Sequence, residues 1–208
     1  MYHSNLNIHI LSKNEQLAEA LCSVAPPERF SLQFKTFSAI TQESLAGCDI
    51  LILDIPGRDS QAMLSLVQEK VQVVLCTDAQ GLAAMQCGTG RQCADYWLAP
   101  AAPAFAVARF GGLLDRIKTQ KDCRLAQTCL DTAINSVPDL VWFKDLRGSH
   151  EKVNDAFCRA VGKTKQDVQG RGHYYIWDLE PEEYAKGEYV CLETEEEVLR
   201  QRRTCLFD

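Results

Sequence analysis

Short apolar runs separated by amphipathic stretches make up the first half of the chain. Two of the runs, DILILDI at 49–55 and VQVVLC at 71–76, are apolar at nearly every position, which is typical of strands buried on both faces of a sheet. The predicted strands are Leu6–Leu11, Phe30–Phe37, Asp49–Ile55, Val71–Cys76 and Ala94–Leu98. Helical patterns cover Glu15–Val24, Ser60–Lys70 and Gly81–Cys87. Strands that alternate with helices predict an α/β fold, a doubly wound five-stranded parallel sheet with right-handed crossovers.

A long helical pattern follows, from Ala104 to Ser136, and Pro103 suits its first turn because no amide partner is needed there. Gly111 and Gly112 interrupt the pattern, so we expect either a hinge or a close packing contact at these residues. The apolar positions of this stretch are Leu113, Leu114, Ile117, Leu125, Leu130 and Ile134. They form a stripe, and we expect the chain to form a homodimer through this helix.

The pattern changes beyond Pro138. Asp139–Lys144 and Ser149–Val153 predict an antiparallel hairpin around the turn Asp145–Gly148. The hairpin is the first sign of a second, α+β domain.

Two capped helices are predicted after the hairpin. Asn154 is a suitable N-cap for a helix Asp155–Val161, and Gly162 is suited to end it. Thr164 is a suitable cap for another short helix that ends before Gly170.

Composition narrows the functional classes. The net charge of the 208 residues is -6, and the dense basic group at 200–203 directly follows an acidic run, so we expect no nucleic-acid partner. No apolar run approaches the roughly 18 residues that span a bilayer, and the N-terminus does not resemble a signal peptide. The 10 cysteines lack CxxC spacing and the 4 histidines lack metal-ligand spacing. We therefore expect a cytoplasmic protein with reduced, buried cysteines and no metal site.

Three segments within residues 1–119 resemble landmarks of the receiver domain of two-component response regulators. DILILDIPG is similar to the third receiver strand and its phospho-acceptor turn, which puts Asp54 at the phosphorylated position. VVLCT is similar to the fourth strand and puts Thr77 at the switch hydroxyl. ADYWLAP is similar to the A-D-Y-x-x-K-P signature that ends the fifth strand. The resemblance implies a flavodoxin-like receiver fold.

Two receiver landmarks are replaced in this chain. Ser12 and Lys13 stand where receivers carry an acidic pair, and Ala99 stands where they carry a lysine. Phosphoryl transfer to a carboxylate needs Mg²⁺ held by carboxylate oxygens and a cation for the phosphoryl group. We therefore expect a pseudo-receiver that serves as a dimerisation or docking surface, with Lys13 paired to Asp54. A phosphorylatable receiver that uses Asp54 is the alternative.

The stretch VNDAFCRAVGKTKQDVQGR resembles the PAS family, because its asparagine, Ala-Phe pair and two glycines follow the PAS pattern. DLVWFKDLRG, which precedes it, fits the first PAS hairpin. The resemblance covers residues 138–208 and implies an α+β sensor domain in which a sheet and short helices surround a cleft, with residues 120–137 as a linker helix. Since PAS domains continue with two further strands, we expect this one to be incomplete at its C-terminus.

The PAS resemblance also implies ligand residues in the cleft. The candidates are Trp142, His173, Tyr174, Tyr175 and Trp177. A single histidine among aromatic rings is able to ligate haem, but such a histidine is more often structural. Flavin photochemistry needs a cysteine in a particular motif, and Cys158 lies in the wrong helix. We therefore expect neither haem nor flavin, leave the cofactor open, and expect a small-molecule pocket.

Together, the two resemblances imply a non-catalytic sensory module of a bacterial signal-transduction protein. The run GHYYIWDLEPEEYAKGEYVCLETEEEVL is most similar to PAS domains that precede GGDEF diguanylate cyclase domains. A diguanylate cyclase past Asp208 is therefore the implied output, and the input half of a sensor histidine kinase is the alternative. The sequence itself carries no GGDEF signature, histidine-kinase H-box or HD motif, so we expect no catalytic residues in this chain.

Overall fold

The computed structural model describes residues 2–38, 46–54, 64, 66–86, 93–178 and 197–206. The chain divides into two compact units, Met1–Cys123 and Arg124–Asp208. The predicted helix Ser60–Lys70 lies in part outside the described residues.

A five-stranded parallel sheet forms the centre of the first unit. Its strands are β1 (Ser4–Ser12), β2 (Phe30–Phe37), β3 (Ile50–Asp54), β4 (Gln72–Thr77) and β5 (Asp95–Leu98). Their spatial order is β2-β1-β3-β4-β5, and all four pairs of neighbours are parallel. This is the doubly wound order of the flavodoxin-like fold, so the predicted fold of the first half is confirmed.

Alternate residues of the central strands supply two separate hydrophobic cores. In β3, Ile50 and Ile52 belong to one core and Leu51 and Leu53 to the other. Successive side chains of a strand point to opposite faces, so β3 is buried on both faces of the sheet. Phe110, in the long helix that follows β5, is fully buried in the first of these cores. Burial on both sides explains why the strand sequence is apolar without alternation.

The helices α1 (Glu15–Cys22) and α2 (Ala79–Gln86) both begin at a side-chain cap. The side-chain oxygen of Asn14 accepts the amide N–H of Leu17 at 3.2 Å. Oδ1 of Asp78 accepts the amide N–H of Gly81 at 2.7 Å. Each cap satisfies one of the amide groups that have no partner in the first turn of a helix.

One uninterrupted helix, α3, occupies Pro103–Asn135 and continues through Gly111 and Gly112. A Cβ atom added to either glycine would meet no atom of the described residues within 4 Å. The predicted close packing contact at these glycines is therefore wrong, and the helix does not break there. Residues 123–130 of α3 are all exposed.

The second unit begins with a two-stranded antiparallel sheet of β6 (Trp142–Lys144) and β7 (His150–Val153). The turn between them is fixed by Asp145, whose carboxylate accepts the amide N–H groups of Arg147 and Ser149 at 2.9 and 2.8 Å. The predicted hairpin is thus confirmed.

Between residues 154 and 178 three short helices follow: α4 (Asp155–Val161), α5 (Lys165–Val168) and α6 (His173–Ile176). Asn154 caps α4 and Gly162 ends it with φ at 66°. Thr164 and Asp167 form a reciprocal capping box at α5. These caps confirm the predicted starts of α4 and α5, whereas α6 has no side-chain cap and was not predicted.

Candidate functional site

Three of the predicted residues lie where strands of the parallel sheet end. Ser12 ends β1, Asp54 ends β3 and Thr77 ends β4. The strand register places Ser12 beside Asp54, and the Ser12 hydroxyl donates a hydrogen bond of 2.6 Å to Oδ2 of Asp54. The same hydroxyl oxygen accepts the amide N–H of Asn14 at 2.9 Å. The Ser12 hydroxyl is therefore held between the start of α1 and the Asp54 carboxylate.

Lys13 does not make the ion pair that the sequence predicts. Its side chain is exposed, and no ion pair joins it to Asp54 within the described part of the chain. The Ser12 hydroxyl, rather than the Lys13 ammonium group, binds the Asp54 carboxylate. The prediction is wrong because a residue one position earlier is in register with Asp54, and its short side chain reaches the carboxylate directly.

Thr77 is a half-buried residue at the end of β4. Its carbonyl oxygen accepts the amide N–H of Ala99 at 2.9 Å, and a Cβ at Gly81 would collide with its Oγ1. Next to it, burial and the charge of Asp54 raise the pKa of the Cys76 thiol to about 12. Cys76 is therefore a neutral core thiol at physiological pH.

The side chains at the carboxyl ends of β1, β3 and β4 restrict which reactions this edge of the sheet can support. Within the described residues, no cluster of three or more metal-ligating side chains occurs. Mg²⁺ prefers an octahedral set of oxygen ligands, and Ser12 supplies a neutral hydroxyl where a receiver has a carboxylate. Ala99, joined to Pro100 by a cis peptide bond, has no charge to offer a phosphoryl group.

Asp95 is a buried carboxylate whose role was not predicted from the sequence. It lies at the start of β5 and accepts bonds from Nε1 of Trp97 at 2.9 Å, Nε of Arg109 at 3.0 Å and the amide of Tyr96 at 3.0 Å. Burial acts to raise the pKa of Asp95, but the bonds from Arg109, Trp97 and Tyr96 outweigh it and lower the pKa below its usual value. Because Arg109 belongs to α3, this ion pair fastens the helix to the edge strand.

In the second unit, three of the aromatic candidates gather in one cluster. Trp142 and Trp177 lie with ring centroids 5.8 and 6.4 Å from that of Phe157, and His173 lies 5.9 Å from Trp177. Phe157 is buried at the centre, and His150 contacts it at 5.6 Å from the other predicted strand of the hairpin. Phe157, in α4, is therefore the hydrophobic centre of the cluster that Trp142, His173 and Trp177 form.

Tyr175 does not extend this cluster in the described structure. Tyr175 is exposed, and its ring has Arg171 and Lys163 over it at 5.0 and 5.6 Å. This is a cation–π arrangement at the surface. The side chain of Tyr174 lies outside the described residues.

Asn154 joins three elements of the second unit. It is fully buried; its Nδ2 donates to the carbonyl oxygens of Ile134 and Asp139 at 3.0 and 2.8 Å. Its Oδ1 accepts the amides of Val141 and Phe157 at 3.1 and 2.9 Å. The sequence predicts Asn154 as the N-cap of α4, whereas its bond to the end of α3 was not predicted. A side-chain amide has both donors and an acceptor, which is why one residue can make all these bonds.

The described helices include none long and apolar enough to cross a membrane.

The strand order of the first unit, together with Asp54 and Thr77 at the carboxyl ends of their strands, defines an α/β unit that fits a receiver domain.

Comparison with known proteins adds one structural similarity. No family model matches the chain, and no curated protein matches it. Among solved structures, the chain is similar to the crystal structure of an orphan response regulator of H. pylori, at 15% sequence identity and a TM-score of 0.38. The match covers 52% of this chain and 96% of that chain.

Proposed function

We propose that this chain is a non-catalytic regulatory module of a bacterial signal-transduction protein. In this proposal, the first unit is a pseudo-receiver, the second is a PAS domain that binds a small-molecule signal, and α3 passes the signal on. The observation that carries the proposal is the bond from Ser12 to Asp54, because it puts a neutral hydroxyl where phosphoryl transfer needs a second carboxylate.

The electrostatics of phosphoryl transfer explain why this bond matters. The transferred group spreads negative charge over three oxygens, and positioned cations supply most of the stabilisation. Asp54 offers one carboxylate, and the exposed Lys13 is not bound to it. Ala99 adds no charge. The described residues at this end of the sheet therefore lack the groups that would hold Mg²⁺ and a phosphoryl group together.

The local structure of the second unit supports a sensor of the PAS type. The hairpin leads through Asn154 directly into α4, in the order that the PAS resemblance implies. Trp142 and Trp177 flank Phe157 yet remain 44% and 41% exposed, so they offer apolar area to a ligand. A small molecule that packs against these rings is the proposed signal.

The PAS resemblance implies a GGDEF diguanylate cyclase as the output, an enzyme that needs two subunits brought together. Residues 123–130 of α3 supply a surface for such pairing, because they are exposed and include Leu125 and Leu130. We propose a second copy of the chain as the partner of this surface.

The test is incubation with Mg²⁺ and acetyl phosphate, followed by intact-mass analysis and by titration with beryllofluoride. Neither the wild-type chain nor Asp54→Ala is expected to gain mass during the incubation, while an active receiver in the same buffer gains a phosphoryl group. A stable mass gain that maps to Asp54 and is absent from Asp54→Ala would refute the pseudo-receiver and favour a phosphorylatable receiver.

A variant with Ser12→Asp, Lys13→Asp and Ala99→Lys makes the experiment sharper. These changes put back the carboxylates and the lysine, so phosphorylation of this variant alone would show that those three positions block the reaction. Circular dichroism of each variant checks that the sheet is intact.

A further inference from the structure

A groove of about 400 Å³ opens in the second unit between α3, β7 and α5. This volume lies within the range of about 300–1,000 Å³ that small-molecule sites occupy. None of the five aromatic cleft candidates lines the groove, although His150, which contacts Phe157, belongs to both surfaces.

An ion pair in this groove joins α3 to β7, and a second lysine lines the same space. Nζ of Lys152, on β7, lies 2.5 Å from Oδ1 of Asp131, on α3. The hydrogen bond from Lys152 lowers the pKa of Asp131, and the charge of Lys165, on α5, acts in the same direction. Lys165 is itself bound to Asp155 at 2.6 Å. Three elements of the unit thus bring charged side chains to the same place.

The charged groups keep hydrogen-bonding capacity for a ligand. A lysine has three N–H donors, and an ionised carboxylate accepts about four hydrogen bonds. Lys152 and Asp131 each use one of these in their ion pair. Both pairs are partly exposed, so the exchange of one partner for a ligand group costs little.

The remaining lining defines which ligand fits. Val153 and Val168 line the bottom of the groove, where these two almost fully buried core residues form a small apolar floor. Glu151 also lines it, so two cationic and two anionic side chains face the space. A ligand without net charge keeps the equal number of positive and negative charges in the groove. To match the lysines, the acidic side chains and the valines, it needs a carboxylate, an ammonium group and a short apolar side chain.

We propose that this groove binds a small aliphatic α-amino acid. Its carboxylate accepts hydrogen bonds from Lys152 and Lys165, its ammonium group donates to Asp131, and its side chain packs against Val153 and Val168. The ligand would bridge α3, β7 and α5, so its binding would tighten the end of the long helix against the hairpin.

The experiment is a nuclear magnetic resonance titration of the ¹⁵N-labelled chain with three matched probes. L-Valine carries both charged groups, isovalerate lacks the ammonium group, and isobutylamine lacks the carboxylate. We expect saturable shifts of the amide signals of Asp131, Lys152 and Lys165 with L-valine, and at least about tenfold weaker binding of the other two probes.

Variants locate the binding groups. Lys152→Met and Lys165→Met are expected to weaken L-valine binding at least about tenfold, whereas Arg159→Met, which removes an exposed cation outside the lining, is expected to leave it unchanged. The amide spectrum of each variant reports whether the unit is folded. If a variant is unfolded, the comparison of the three probes on the wild-type chain decides the question.

Several results would overturn the proposal. The absence of saturable shifts with L-valine would exclude an amino-acid site, and equal binding of isovalerate would show a simple anion site. Shifts confined to the aromatic cluster would place the ligand elsewhere, and unchanged binding by both lysine variants would remove the proposed contacts.

Discussion

Loss of the Asp95 carboxylate is expected to destabilise the first unit. Asp95→Ala removes the acceptor of the Trp97 indole N–H, and Trp97 is only 1% exposed, so water does not replace the bond. A buried donor left without a partner costs about 1–3 kcal/mol. The bonds from Arg109 are lost as well, but that side chain is 45% exposed and solvent replaces much of what it loses. We expect the free energy of unfolding to fall by about 2–3 kcal/mol.

Hydrogen exchange of the backbone amides in β4 and β5 measures this change within the first unit. Asp95→Asn is the matched variant, because its amide oxygen still accepts the indole N–H, and we expect it to lose less than Asp95→Ala. A double-mutant cycle with Trp97→Phe isolates the indole. If the buried N–H causes most of the loss, Asp95→Ala costs about 1–3 kcal/mol less when Trp97 is already phenylalanine. Strict additivity in the cycle would refute this reasoning.

The same carboxylate gives a pH dependence whose sign follows from its lowered pKa. Because the pKa of Asp95 is lower in the folded chain than in the unfolded chain, its contribution is fully present above the ordinary value of about 3.9. The contribution is lost as the pH falls through the lowered, folded-state value. Wild type and Asp95→Asn should therefore differ most above pH ~4 and converge in acid. A difference that is constant down to strong acid would contradict the assignment.

Two further predictions concern the second unit and the long helix. Asn154→Ala is expected to destabilise the second unit by about 2–4 kcal/mol, because it removes a fully buried amide that bonds to several backbone groups. Faster hydrogen exchange of the Val141 and Phe157 amides would show this loss, and unchanged exchange would contradict it. Sedimentation analysis should find a dimer of the wild-type chain and a monomer of Leu130→Glu. Ala160→Glu, which adds the same charge at an exposed position outside α3, is the control that stays dimeric, and a wild-type monomer at high concentration would rule out pairing through α3.

The parts of the fold that the sequence predicted are those with a short-range physical cause. The β3 and β4 runs are recognisable because burial on both faces excludes polar residues from every position. Asn154, Gly162 and Thr164 are recognisable because a cap needs a particular side chain or a positive φ at one position. The helix α6 has no such signal, since Gly172 precedes it without a side-chain bond.

The contacts that the sequence did not predict depend on which elements lie side by side. Asp95 begins the otherwise apolar strand β5, and a buried carboxylate there requires a cation, but the sequence does not show that Arg109 is the one. The choice between hinge and contact at Gly111 depends on whether another element approaches the helix, and no element of the described part of the chain comes within 4 Å of an added Cβ. Groove charges such as Lys152 and Asp131 come together only once β7 lies along α3.

The partner of Asp54 shows how closely site chemistry depends on strand register. The sequence placed Ser12 and Lys13 together at the end of β1, and charge alone favours the lysine as the partner of a carboxylate. The register of the parallel pair sets Ser12 opposite Asp54, and the next residue has already left the strand. A serine hydroxyl at 2.6 Å binds the carboxylate through one short hydrogen bond and brings no charge to it. A carboxylate in place of that hydroxyl would instead stand within reach of the same Asp54 oxygens, and two such groups together favour a divalent cation. One side chain in register with Asp54 therefore decides between a hydrogen-bonded strand end and a metal-binding edge, while the sheet that carries it stays the same.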